Sequence, residues 1–372
     1  MSRLKAAIVG ATGIVGQQFI LALQDHPWFT ISALAGSPRS AGRSYGEALR
    51  SAPGGSLQWY ADALPDNGVF DLPVEDASEL EAERFDVIFS AVESDAARTL
   101  EPRYAQSTPV ISTASAFRYE DDVPVLLPGV NDDHARMIDC QRKTRGWRGF
   151  IAPNPNCTTV GLAITLAPLA QCFGLEAVVM TSLQAVSGAG RHGGVLGLDI
   201  IDNVIPYIAR EEEKVRLETR KILGRYGPSG LQPAALRLSA TCTRVPVLEG
   251  HTESVLALTT RAASVDEARA AFDHFGTELA GMGLPSAPQR LIVVHDDPFR
   301  PQPRLDRSLD DGMATSVGRL RADSAFDNGL QYVLLSHNTK MGAANGTVLT
   351  AELLAHCGYI GQGGGAPRRT AC

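Results

Sequence analysis

Residues 6–23 hold the pattern that most narrows what this chain can fold into. Ala6-Ala-Ile-Val9 is a short apolar run, long enough for one buried parallel strand. Gly10-Ala-Thr-Gly-Ile-Val-Gly16 follows at once, and Gln17–Leu23 reads as a helix. Glycines in such a strand–turn–helix unit permit a tight turn, close approach of backbone to a pyrophosphate, and close helix-to-strand packing. The helix N-terminus then faces the anion. The spacing is G-x-x-G-x-x-G, and a plain tight turn would also fit it. Its position directly after an N-terminal strand favours nucleotide binding.

A second strand, Ile31–Leu34, ends at Ala35-Gly-Ser-Pro-Arg-Ser40. An acidic residue at this point holds the ribose 2′-hydroxyl of NAD. None is present; Ser37, Arg39 and Ser40 offer donors and a positive charge, which suits the 2′-phosphate of NADP. Phe85–Ser90 and Pro109–Thr113 are further buried-strand candidates, the first ending in the small residues Ser90 and Ala91, where a cofactor would pass. Arg118 follows as either a contact for a substrate anion or a surface charge. Repeated strand–helix alternation to about residue 153 predicts a doubly wound parallel sheet of the Rossmann type.

Asn154-Pro-Asn-Cys-Thr-Thr159 opens the second half. A cysteine at the first turn of an apolar helix, predicted over Thr158–Phe173 with a kink at Pro168, faces unpaired N–H groups that favour the thiolate. A small apolar core residue is the competing reading of Cys157. Ala177–Val186 reads as a strand carrying Gln184 near its end, and Ser187-Gly-Ala-Gly190 as a flexible loop able to approach a ligand. Gln184 could orient a carbonyl or a thiolate, or pair with backbone. The helix predicted over Arg210–Leu223 is a charged face on which Glu211 and Lys214 lie one turn apart. Arg244, on a mostly apolar strand face over Leu236–Val247, needs an anionic partner, and a bidentate carboxylate is the natural one. His251 is read in a turn before the strand Ser254–Thr260, a placement that suits an acid/base group. With a helix over Val265–Leu279 and a Pro/Arg-rich irregular segment over Asp297–Asp311, this half reads as α+β with an open sheet. The helix Thr347–His356 is expected to return to the first domain. The glycine-rich tail from Gly361 is expected to be disordered.

Composition bounds the function. A chain of 372 residues suggests two domains, and its net charge of −7 with no basic tract argues against nucleic acid. The six cysteines show no paired spacing, so neither a disulfide framework nor a metal site is indicated. No secretory h-region opens the sequence, and no apolar run reaches the roughly 18–20 residues that span a bilayer. A cytoplasmic protein without membrane or nucleic-acid partners is expected.

A cysteine nucleophile, a histidine, a dinucleotide fold and an anion-binding arginine point to one chemistry. A thiolate attacks an acyl carbon to form a thioester, and hydride from NADPH reduces it to an aldehyde. Gly10–Gly16, Ser37–Ser40, Ser115–Arg118, Asn154–Thr159, Gln184–Gly188, Glu211–Lys214, Arg244–His251 and Gly342–Ala344 occur in order along almost the whole chain. Together they resemble the aspartate-β-semialdehyde dehydrogenase family. Asp199–Pro206 and Arg300–Arg304 look like its archaeal and fungal branch.

The resemblance implies Cys157 as nucleophile, His251 as general acid/base and Gln184 as the residue that orients the intermediate. It implies Arg244 for the substrate α-carboxylate, Glu211 for its α-ammonium, and Arg118, Asn156 and Lys214 for phosphate. NADP(H) would contact Gly10, Thr12, Gly13, Ile14, Val15, Ser37, Arg39, Ser40, Ser90, Ser187, Gly188 and Asn338. It further implies an NADP domain over 1–153 completed by 338–360, and a catalytic and dimerisation domain over 154–337. A homodimer or dimer of dimers follows, with a product that feeds lysine, threonine and methionine synthesis. Arg191-His-Gly-Gly194 departs from the family pattern and puts the neighbouring loop in doubt. A malonyl-CoA reductase, a more distant N-acetyl-glutamyl-phosphate reductase and a non-catalytic NADP-binding redox sensor are the alternatives.

Overall fold

The computed structural model describes residues 3–52, 54–190 and 197–361; Arg191–Gly194 and the tail beyond Gly361 lie outside them. The chain divides into two compact units, 1–126 with 132–154 and 344–372, and 127–131 with 155–343.

In the first unit six parallel strands, β1 (Leu4–Val9), β2 (Phe29–Gly36), β3 (Val74–Asp76), β4 (Val87–Ser90), β5 (Val110–Ser112) and β6 (Ile151–Pro153), lie in the order β3-β2-β1-β4-β5-β6. The continuous apolar runs follow from burial on both faces. Ala6 and Ile8 pack in one core layer with Phe19, Phe89, Val348 and Leu354. The alternate residues Ala7 and Val9 pack in the other with Ile88, Tyr104 and Val110. This is the doubly wound order, with its switch point between β1 and β4. The helix after the glycine turn begins at Ile14, earlier than Gln17. Gly16 explains this: a Cβ there would lie 2.3 Å from the Gly10 carbonyl oxygen, so its absence lets the first turn form against the loop. The C-terminal helix, Ala344–His356, does return to this unit, because Val348, Ala351 and Leu354 complete the layer formed by Phe19, Ile20 and Leu23.

The second unit is built on β7 (Leu175–Gln184), β10 (Arg237–Arg244), β11 (His251–Thr259), β12 (Ile292–Val294), β13 (Thr315–Ala322) and β14 (Gly329–Ser336), in the order β10-β7-β11-β14-β13-β12, with β8 (Arg225–Gly227) and β9 (Gly230–Gln232) as a separate hairpin. β10–β7 and β12–β13 are parallel and the remaining pairs antiparallel. The helix Cys157–Phe173 is buried on nearly every side and packs against β7, β11, β13 and β14. Pro168 sits inside it without dividing it.

Three expectations need correction. β11 starts at His251, so this residue is the buried first residue of a strand and not part of a turn. β10 stops at Arg244, before the Val-Pro-Val segment. The helix over Val265–Leu279 is two helices, Val265–His274 and Thr277–Gly281, divided at Gly276, whose φ of +83° is left-handed.

Candidate active site

The strand register of the second unit gathers chemistry at one end of its sheet. Arg244 on β10 pairs with Gln184 on β7, Thr252 on β11 pairs with Leu183, and His251 pairs with Ser336 on β14. Cys157 is the first residue of its helix, and Asn156 is the N-cap, its side-chain oxygen accepting from the backbone N–H of Thr158 and Thr159. This brings the Cys157 Sγ to 3.2 Å from His251 Nε2. Gly342 permits the approach of the neighbouring loop, since a Cβ there would stand 3.0 Å from Cys157 Cβ.

The state of His251 follows from its other nitrogen. The Ala185 backbone N–H points at His251 Nδ1 at 3.1 Å. An amide N–H only donates, so Nδ1 accepts and the proton of the neutral ring sits on Nε2, facing the sulfur. Burial, then Arg244 and His337, push this histidine down to about 3. It is therefore neutral at neutral pH, with its Nε2–H facing the Cys157 sulfur. The helix N-terminus adds its partial positive charge to the same sulfur.

Arg244 is buried, and one guanidinium nitrogen donates to the Ala185 carbonyl at 2.7 Å. One residue, Ala185, thus orders both the imidazole through its N–H and the guanidinium through its carbonyl. Glu211 and Cys157 are both within electrostatic reach of Arg244 and oppose the downward pull of burial on it. Gly188 lies against this pair: a Cβ would be 3.0 Å from Arg244 Nη1 and 3.1 Å from His251 Cε1. Gln184 is buried and donates to Ser182 Oγ at 3.1 Å, so in this structure it pairs with a side chain and not with backbone.

The helix Glu211–Ile222 forms another wall. Glu211 is buried and accepts from Asn156 Nδ2 at 2.8 Å and from Lys214 Nζ at 3.3 Å. Glu218, two turns further along the same helix face, accepts from the Asn156 backbone N–H at 2.6 Å. Asn338 Oδ1 accepts from the Gly250 backbone N–H, and its Nδ2 donates to Ser187 Oγ, both at 2.8 Å.

Two acids here were not singled out from the sequence. Glu218 is i+7 from Glu211, a spacing that repeats a helix face and could have flagged it. Glu253 is i+2 from His251, so strand alternation puts it on the same face. Among the described residues, its two buried carboxyl oxygens have no hydrogen-bond partner. Burial and the nearby Glu211 raise it well above the usual carboxylate range, which keeps it protonated.

The first unit carries the remaining candidates. Gly10 has φ +82°, and a Cβ would meet the Ala91 carbonyl oxygen at 2.6 Å. The helix N-terminus at Gly13 has no side-chain cap and no acidic residue in its first turn. Thr12, Gly13, Ile14 and Val15 are half-buried around it. Bare N–H groups and a cradle without room for side chains fit a pyrophosphate. Ser37 and Arg39 are exposed and Ser40 half-buried after β2, with no carboxylate in that turn, which fits a 2′-phosphate. Ser90 is buried at the end of β4. Arg118 is only 5% exposed and donates to the Thr113 carbonyl at 2.8 Å, so the surface-charge reading of it does not hold.

Comparison with known proteins agrees with these features. Residues 5–138 match the family model described as semialdehyde dehydrogenase, NAD binding domain, and residues 166–341 the one described as semialdehyde dehydrogenase, dimerisation domain. The chain is 44% identical over 351 residues to the aspartate-semialdehyde dehydrogenase of Methanothermobacter thermautotrophicus, covering 94% of this chain and 99% of that one. It is 41% identical over 369 residues to that of Candida albicans, covering 95% and 98%. Among solved structures, the Candida albicans aspartate semialdehyde dehydrogenase with NADP superposes with a TM-score of 0.85 at 38% identity, covering 96% of this chain and all of that one.

Proposed function

The chain belongs to the aspartate-semialdehyde dehydrogenase family, and on that premise we propose how its residues carry out the reaction. It reduces L-4-aspartyl phosphate to L-aspartate 4-semialdehyde and phosphate with NADPH, reversibly. The observation that carries this reading is the Cys157–His251 pair, 3.2 Å apart at a helix N-terminus, with the ring oriented by Ala185.

The Cys157 thiolate bonds the acyl carbon, and the C–O bond to phosphate breaks to leave a thioester on Sγ. NADPH, when bound, supplies the hydride that reduces this thioester. The resulting thiohemiacetal loses its C–S bond, which releases the aldehyde and regenerates the thiolate. The acid/base role expected of His251 narrows to hydrogen-bond donation: its Nε2–H bonds first the sulfur and then the oxyanion at the acyl carbon, facing the reacting atoms. Gln184 orients that intermediate. Arg244 takes the α-carboxylate and Glu211 the α-ammonium; Asn156, Lys214 and Arg118 take phosphate. Gly10, Thr12–Val15, Ser37, Arg39, Ser40, Ser90, Ser187, Gly188 and Asn338 hold the dinucleotide.

Glu211 favours a substrate with a free α-ammonium, which a malonyl thioester lacks. A redox sensor would have no use for the Arg244 and Glu211 clamp. We also assign a homodimer formed through the second unit, whose sheet and the segment 197–207 expose Val179, Leu183, Leu198 and Tyr207. Cys157→Ala is expected to abolish phosphate-dependent NADP reduction by aspartate semialdehyde while NADP binding survives. Undiminished turnover in that variant would remove the assigned nucleophile.

A further inference from the structure

The groups assigned to the two ends of the substrate are joined in one cluster. Glu211 Oε1 accepts from Asn156 Nδ2 at 2.8 Å and from Thr158 Oγ1 at 3.4 Å, and its Oε2 accepts from Lys214 Nζ at 3.3 Å. Two of these three donors, Asn156 and Lys214, are placed on phosphate together with Arg118. An ionised carboxylate offers about four acceptor directions. Three are in use, and an arriving ammonium brings three donors of its own. It therefore competes for the oxygens that hold Asn156 and Lys214.

Resting on the reading above, we propose that Glu211 masks the phosphate-binding donors Asn156 and Lys214, and that the α-ammonium of the substrate lifts the mask by taking over the carboxylate. The rest of Asn156 is fixed independently. Its backbone N–H is held by Glu218 at 2.6 Å, and its Oδ1 caps Thr158 and Thr159 at 3.0 and 3.2 Å. Loss of the Nδ2 bond to Glu211 thus frees a donor while the turn that presents Cys157 stays in place. Phosphate and an α-ammonium then bind cooperatively, and by linkage each strengthens the other equally. An acyl donor without the amine meets a site where Asn156 and Lys214 each still give one N–H to Glu211, so the amine is selected at two points.

The test is a calorimetric titration of the NADP-loaded protein with inorganic phosphate, in the presence of L-2-aminobutyrate or of butyrate, which differ only in the amine. Phosphate is expected to bind at least about fivefold more tightly with the amine, the lower end of common coupling strengths. Equal affinities would overturn the mask. Simple charge attraction is separated by a mutant cycle. Glu211→Gln is expected to tighten phosphate binding without any amine, and this gain is expected to vanish when Asn156→Ser and Lys214→Met are also present. Serine keeps the helix cap without the amide donor. A gain of the same size in that background would show charge removal alone and would also overturn the proposal. Wild-type turnover of aspartate semialdehyde with phosphate, measured alongside, separates failure of the mask from failure of the assigned reaction.

Discussion

At the scale of single residues, the direction of one hydrogen bond determines what His251 can do. With Nδ1 accepting from Ala185, an imidazolium would have to give up that bond, and burial already pushes the ring down to about 3. His337 is also pushed down to about 3, chiefly by burial. Both histidines take up protons below about 6.5 when unfolded and resist them when folded, so stability falls as pH drops from that value toward 3. Glu253 works in the opposite direction. Unfolded, it ionises above about 4.5; folded, burial keeps it protonated, so stability is lost as pH rises above that value. Glu253→Gln should therefore raise the thermal midpoint at pH 8 and leave it nearly unchanged at pH 4. Each ~1 kcal/mol recovered corresponds to roughly 2–4 °C for a domain of this size. Scanning calorimetry at the two pH values checks this, and an equal change at both would contradict a protonated Glu253.

At the scale of elements, the helix Cys157–Phe173 does two jobs: its body fills the core and its first turn presents the thiol. Gly161, one turn below Cys157, lies where a Cβ would be 2.9 Å from Leu334 Cδ1 and from Ser336 Cβ. Gly161→Ala is expected to cost about 1–3 kcal/mol through overpacking. Because the displaced turn carries Cys157, kcat should fall more than tenfold in folded protein at 25 °C. Denaturant melts and steady-state rates on the same sample check both parts, and unchanged kcat would contradict the rigid placement. Local signals made this helix and the glycine turn readable from sequence, since caps, glycines and apolar runs act within a few residues. Glu211 and Lys214 were readable as a pair for the same reason. The i+7 spacing of Glu218 places it on the same face, but its role is not readable locally, because it holds a backbone N–H 62 positions away. The local sequence at His251 signals a turn because Glu249-Gly250 bends the chain there, whereas its burial comes from the distant strands β14 and β7 on either side of β11.

At the scale of the whole molecule, the doubly wound order of the first unit was readable because strand–helix alternation admits few topologies. The mixed order of the second sheet was not, since long connections leave the pairing of β10 with β7 open. Among the described residues, no helix is long and apolar enough to cross a membrane. The exposed apolar residues call for another cover. Val179 and Leu183 are 49% and 41% exposed on β7, and Leu198 is 93% exposed. Sedimentation velocity is expected to show a dimer for the native chain and a shift toward monomer for Leu183→Glu; a native monomer at micromolar concentration would contradict that interface. The most direct measurement of the chemistry is intact-protein mass spectrometry after mixing the protein with NADP and aspartate semialdehyde in the absence of phosphate. The expected result is an aspartyl thioester on Cys157, lost on adding phosphate and absent in Cys157→Ala. NADPH formation with no acyl adduct, or an adduct on another residue, would contradict it.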